Sequence, residues 1–202
     1  MALWTAGEPL VLASKSTARL ALLAAAGIAV EVLRADIDER GVEAKAPAQD
    51  AGAAAALLAR EKARAVAGLR PGRMVLGADQ TLALDARRFS KPADRAAAAE
   101  QLSALRGRTH ALHSALAVVR DRDVLFEHTD AAHLTMRSFS DKFLDEYLDA
   151  AGDTATASVG GYQLEKPGIQ LFERIEGDYF TILGLPLLPL LEFLRRERCL
   201  AE

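Results

Sequence analysis

The chain of 202 residues contains one cysteine, Cys199, so no intrachain disulfide can form and a metal centre built on cysteine is excluded. That usage fits a reducing, cytoplasmic compartment. No apolar run reaches the ~18 residues that a transmembrane helix needs. Met1 to Glu8 has no basic start before an apolar stretch, so a secretory signal is not expected. There is no low-complexity tail and no Gly/Ser linker. The net charge of -3 argues against a general nucleic-acid coat, and any positive charge offered to an anion must be local. The pattern Gly-x-Ser-x-Gly is absent, and Gly160-Gly161-Tyr162 is neither a Walker nor a dinucleotide fingerprint. His110, His113, His128 and His133 have no metal-ligand spacing, and His110 and His113 fall on opposite faces of a strand.

What is present is a large apolar fraction, 50% of the residues, enough to bury a sizeable core in one domain with at most two lobes. The alanine-rich stretches, such as Ala53 to Ala56 and Ala96 to Ala99, read as helix interior. Pro9 to Ala13 reads as a buried strand, followed by a loop, Ser14 to Ser16, and a helix from Thr17 to Ala26. Val30 to Arg34 is expected as a strand, Asp36 to Arg40 as an acidic turn, and Asp50 to Leu69 as a long helix capped by Asp50. Met74 to Ala78 is a second buried strand, and Thr81 to Leu84 either continues it or returns as a hairpin. Helices are expected over 94–105 and 140–151, with two long strands, 109–120 and 124–137, joined by a hairpin turn. Ile169 to Ile175 and Tyr179 to Leu183 read as strands, and Pro186 to Arg198 as a closing helix. Strands and helices mix without strict βαβ repetition, which gives α/β with a mixed sheet.

Four clusters carry chemistry. Ser14, Ser16 and Arg19 lie between a strand and a helix N-terminus, where free backbone N–H groups and the helix dipole favour an anion. Both hydroxyls can donate to phosphate oxygens, and Arg19 can bind them bidentately. Glu39 and Asp79 come from separate segments and together offer oxygen ligands to a hard cation such as Mg²⁺. Asp79 ends the strand Met-Val-Leu-Gly-Ala, and so apolar a strand rarely stops on a carboxylate without a partner or ligand. Lysine is the minority cation, six against nineteen arginines, and Lys62 and Lys91 are compact point charges suited to phosphate.

In this order and spacing the clusters resemble the Maf family, nucleoside triphosphate pyrophosphatases also described as septum-formation inhibitors. The resemblance covers 10–194. It rests on Leu12-Ala13-Ser14-Lys15-Ser16-Thr17-Ala18-Arg19 with Leu22-Leu23, on Asp38-Glu39, on Leu58 to Ala63, on Gly77-Ala78-Asp79, on Lys91-Pro92, on Leu105 to His110, and on Gly184-Leu185-Pro186-Leu187. It implies one Maf-like domain over 1–202, a Maf/ITPase-like fold in which a twisted mixed sheet with flanking helices forms two lobes around a deep cleft. It also implies hydrolysis of a nucleoside triphosphate to the monophosphate and pyrophosphate with a divalent cation, Mg²⁺ or Mn²⁺. Carried over by position, Ser14, Ser16, Arg19, Lys62 and Lys91 would bind phosphates, Glu39 and Asp79 would serve the metal, and Asp79 would accept the proton of water.

Base selection is expected to lie at Ala18, Gln80 and Glu165. The thymidine/uridine type of the family has Arg, Thr and Gln at those positions. Gln80, Glu165 and the run Gly168 to Gly177 look instead like the 7-methyl-GTP pyrophosphatase type, which carries Trp where this chain has Ala18. A glutamate can accept from the N1–H and N2–H₂ edge of guanine and complement the charge of a 7-methylated base. The alternatives are dTTP/UTP hydrolysis and a non-catalytic, nucleotide-binding regulator of division. A nucleotide is the expected partner, with no nucleic acid and no membrane, and the resemblance allows a homodimer.

Overall fold

The computed structural model describes residues 3–45 and 50–201, so the first two residues of the amino-terminal segment lie outside it. In chain order the elements are β1 (Leu10–Leu12), α1 (Thr17–Ala25), β2 (Val30–Val32), α2 (Glu39–Lys45), α3 (Ala51–Ala67), β3 (Met74–Leu84), β4 (Arg87–Phe89), α4 (Arg95–Leu105), β5 (Thr109–Arg120), β6 (Asp123–Met136), α5 (Asp141–Ala151), α6 (Thr154–Ala157), β7 (Phe172–Glu176), α7 (Tyr179–Ile182) and α8 (Leu187–Arg196). Two 3₁₀ turns, Val159–Gly161 and Pro167–Leu171, lie between α6 and β7. The sheet has seven strands in the order β2-β1-β3-β5-β6-β7, with β4 paired to β3. It is mixed: β1 runs parallel to β2 and β3, whereas β3/β4 and β6/β7 are antiparallel. The α/β expectation with a mixed sheet and flanking helices is met. Among the described residues no helix is long and apolar enough to cross a membrane.

The chain divides into two compact units. The first comprises Met1–Gln80, Ser114–Asp130 and Asp178–Glu202. Its core follows from the two-residue period of a strand. Leu10, Leu12, Leu76, Ala78, Leu116 and Val118 point to one face, where Leu23 of α1 and Leu190, Phe193 and Leu194 of α8 cover them. Val11, Val75, Ala115, Ala117 and Val119 point to the other, where Ala55, Ala59, Ala63 and Val66 of α3 lie. Both faces of the sheet are thus dry, which is why these strands read as near-continuous apolar runs. The alanines of α3 are small because the helix backbone sits against the sheet. A Cβ placed on Gly77 would lie 2.1 Å from Ala59 O and 2.7 Å from Ala63 N.

The second unit comprises Thr81–His113 and Ala131–Gly177. Leu82, Leu102, Leu105, Leu134, Met136 and Leu171 are fully buried in it. His110 lies 5.9 Å from the ring of Phe172, and its Nε2 hydrogen-bonds the Tyr162 hydroxyl at 2.7 Å. Its Nδ1 is buried with no hydrogen-bond partner among the described residues. Burial pushes the imidazole down to about 4 from the ordinary 6.5. Between those values the unfolded chain holds a proton that the native ring refuses. His110 therefore supports the fold fully above pH 6.5 and loses that support as the pH falls towards 4, a change on the order of 3 kcal/mol. A His110→Gln variant is expected to lose less stability than the wild type between pH 6.5 and 4.5 in urea unfolding. Parallel losses would show that His110 does not set the acid sensitivity.

Several expectations need correction. Asp36 to Arg40 is not only a turn. Asp38 Oδ1 accepts from Gly41 N at 3.1 Å and starts α2, so Glu39 stands in the first turn of a helix. Asp79 does not end its strand: of the two alternatives for 81–84 the chain takes continuation, so β3 runs unbroken through Leu84, and it is followed by β4, which the sequence reading lacked. Residues 167–171 form a 3₁₀ turn before a shorter strand, and 179–182 form a helical turn rather than a strand. Asp178 starts that turn by accepting from Thr181 N at 3.0 Å, a local contact that outweighs the β propensity of Tyr, Phe, Thr and Ile.

Candidate active site

Strand parity sets out the site within the first unit. On β3, Gly77 and Asp79 face α3, while Ala78 and Gln80 face the side of α1 and α8. The close approach of α3 at Gly77 brings Lys62, the residue before Ala63, onto Asp79. Lys62 Nζ donates to Asp79 Oδ1 at 2.5 Å and meets Glu39 Oε1 at 2.8 Å. The Lys62 and Asp79 side chains are 14% and 12% exposed, Glu39 52%, so the buried pair has one solvent-facing arm. Burial pushes the Asp79 carboxyl above the usual carboxylate range, and the attractions of Lys62 and Arg19 oppose it without overcoming it.

Arg19 lies on the first turns of α1. Its Nη1 donates to Ala78 O at 2.7 Å and to Ser14 Oγ at 3.3 Å, and its Nε to Gly184 O at 2.8 Å. Burial lowers its pKa, and the carboxylates of Asp79 and Glu39 pull it back. Ser16 caps α1 by accepting from Arg19 N at 3.3 Å, and Ser14 Oγ accepts from Ser16 N at 3.1 Å. The loop thus sets two hydroxyls and a helix N-terminus beside a fixed guanidinium, a local arrangement suited to an anion.

Of the residues singled out in the sequence, Ser14, Ser16, Ala18, Arg19, Glu39, Lys62, Asp79 and Gln80 belong to the first unit, and Lys91 and Glu165 to the second. Ala18 is half-buried on α1. Lys91 is exposed on the segment before α4, and Glu165 is exposed in a turn. That turn closes over Gly168, where a Cβ would lie 2.4 Å from Gln163 O.

Gln80 is tied down at its nitrogen. Nε2 donates to Ser114 Oγ at 2.9 Å, Thr181 O at 3.1 Å and Ile182 O at 2.9 Å. Two backbone carbonyls can only accept, which settles which end of the amide is nitrogen. Ser114, Thr181 and Asp130, which the sequence reading passed over, complete this set. Ser114 Oγ donates to Thr181 O at 2.7 Å and Thr181 Oγ1 to Asp130 Oδ2 at 2.8 Å. Ser114 could have been noticed: it shares the buried parity of Leu112, Leu116 and Val118 on β5 and is the one hydroxyl among them.

Glu39 and Asp79 are brought within reach of one ammonium, and carboxylate oxygens are hard donors. Among the described residues no cluster of three or more His, Cys, Asp or Glu could hold a metal ion. A pair of carboxylates fits Mg²⁺, which keeps several waters and takes further oxygens from phosphates.

A family model described as Maf-like protein matches residues 9–197. The chain is 57% identical over 201 residues to a nucleoside triphosphate pyrophosphatase of Rhodopseudomonas palustris (strain HaA2), covering all of both chains. It is 57% identical to a protein of the same description from Nitrobacter winogradskyi, covering 98% of each. A 7-methyl-GTP pyrophosphatase of Brucella abortus is 52% identical over 195 residues, 95% of this chain and 97% of that one. With a match over nearly its whole length and relatives above half identity, the chain belongs to the Maf family.

Proposed function

We propose that this protein hydrolyses a nucleoside triphosphate to the monophosphate and pyrophosphate, with Glu39 and Asp79 serving a divalent cation and 7-methyl-GTP as the favoured substrate. The observation that carries the reading is the Lys62-bridged pair Glu39/Asp79 beside the Ser14/Arg19 cluster. A cation held by the two carboxylates would supply charge neutralisation at phosphate oxygens. Asp79 takes the proton of a water that attacks the α-phosphorus in line. The bond from that phosphorus to the bridging oxygen breaks and pyrophosphate leaves. Lys62 and Arg19 neutralise charge, and Ser14, Ser16 and the first amides of α1 hold phosphate oxygens.

For Lys91 and Glu165 the resemblance alone supports a phosphate contact and a contact with the guanine edge. Ala18 offers no ring to a cationic base, and Gln80 has only its amide oxygen left to offer one. The name of the Brucella relative supports the 7-methyl-GTP choice. The buried single cysteine is in keeping with a cytoplasmic location. The resemblance also supports a homodimer, which light scattering on the purified chain would test.

The test is pyrophosphate release from 7-methyl-GTP, GTP, dTTP, UTP and CTP, with Mg²⁺, with Mn²⁺ and with chelator. Turnover is expected to be highest on 7-methyl-GTP and lost in chelator. A preference for dTTP or UTP would overturn the base assignment and leave the phosphate chemistry standing. Nucleotide binding with no release from any of them would favour the regulator.

A further inference from the structure

We infer that Ser114 is a positioning residue: with Gln80 and Thr181 it fixes the Gly184 carbonyl against Arg19 and thereby sets the phosphate end of the site. The inference rests on the proposed phosphate role of Arg19. Ser114 and Thr181 are both 0% exposed, so every polar atom they carry must be satisfied inside the protein. They are satisfied by each other and by a short run of backbone. Thr181 O accepts from Ser114 Oγ and Gln80 Nε2, and Ile182 O accepts from Gln80 Nε2. Asp130 takes the Thr181 hydroxyl, and Asp178 takes the Thr181 amide.

The segment held this way is a four-residue helical turn, α7, too short to keep its place by its own hydrogen bonds. Two residues past its end stands Gly184, whose amide donates to Thr181 O at 3.0 Å and whose φ is +89°. That turn of the backbone leaves the Gly184 carbonyl as the acceptor of Arg19 Nε at 2.8 Å. A Cβ on Gly184 would stand 3.4 Å from Arg19 Nη2 and 3.7 Å from Gln80 Cδ, so both side chains border the space beside Gly184. Arg19 takes two backbone carbonyls as acceptors, those of Gly184 and Ala78. Ala78 O belongs to the central strand β3. Gly184 O is only as fixed as the polar set that holds α7. A guanidinium displaced by a fraction of an ångström loses much of its value in orienting a phosphate.

The experiment is a double-mutant cycle on steady-state hydrolysis with Ser114→Ala, Arg19→Ala and the double variant, alongside thermal midpoints. Thr181→Val attacks the same turn from its other side and serves if Ser114→Ala does not fold. We expect Ser114→Ala or Thr181→Val to raise KM about fivefold or more with kcat changed less than about twofold. In the Arg19→Ala background the same substitution should change KM less than about twofold, because there is no guanidinium left to misplace. Penalties that multiply in the double variant, or variants that lower only the thermal midpoint, overturn the inference while the phosphate reading stands. An Arg19→Ala variant with unchanged KM sinks the phosphate reading itself and this inference with it.

Discussion

Asp79→Asn is expected to lower turnover by about a thousandfold or more, the scale of a lost general base, while the nucleotide binds within a few-fold of the wild-type affinity. The side chain is isosteric, so Lys62 keeps an oxygen acceptor at the position of Oδ1, and Ser14, Ser16 and Arg19, the proposed phosphate contacts, are untouched. Stability is expected to change little. Burial raises the Asp79 pKa, so the native state favours the protonated carboxyl. Its contribution is complete below the ordinary carboxylate range and is lost as the pH rises through the raised value. Asparagine stays neutral at every pH, so it removes the burial cost of charging this position. Against that, Lys62 is left with Glu39 as its ionic partner. Pyrophosphate release, calorimetric titration of nucleotide and a thermal scan measure the three quantities. Full turnover by this variant would remove Asp79 from the chemistry.

Gly77→Ala is expected to be the most damaging single methyl in the first unit. The new Cβ would meet Ala59 O at 2.1 Å and Ala63 N at 2.7 Å, and both are helix backbone with no rotamer to relax into. The helix must move away from the strand, which we expect to cost on the order of 3 kcal/mol in urea unfolding. The same movement draws Lys62 from Asp79, so activity should fall even at temperatures where the variant is folded. Gly72→Ala is the control. Its φ of +75° carries backbone strain, but nothing lies within 4 Å of the added methyl. We expect it to cost about 1 kcal/mol and leave turnover unchanged. Equal effects of the two would show that close packing at Gly77 is not what places Lys62.

Much of this fold is written in local pattern. The uniformly apolar 10–12 and 74–78 announce buried strands, the alanines of 51–67 a helix, and Asp50 and Ser16 the starts of two helices, each by a side chain that accepts the amide three residues on. Where local signals compete, the pattern misleads. Residues 179–182 have strand-forming side chains, yet Asp178 and the buried set around Thr181 hold them helical. β4 is a three-residue strand that exists by pairing with β3, and three residues carry too little periodicity to be read.

The candidate site divides in the same way. The sequence by itself determined the residue types and their order: a Ser-rich loop before a helix, an acid directly after an apolar run, a lysine on an alanine helix, and a match with the Maf pattern over most of the chain. Only the tertiary structure decided that Lys62 joins Asp79 to Glu39, that Arg19 is held by the carbonyls of Ala78 and Gly184, and that Ser114, Thr181 and Gln80 hold one another. The reason is physical. Hydroxyls, carboxylates and guanidinium groups buried away from water must find partners, and those partners lie as far as 165 residues apart in the chain. Periodicity records which face of an element is buried, but not which polar atom from another element meets it there.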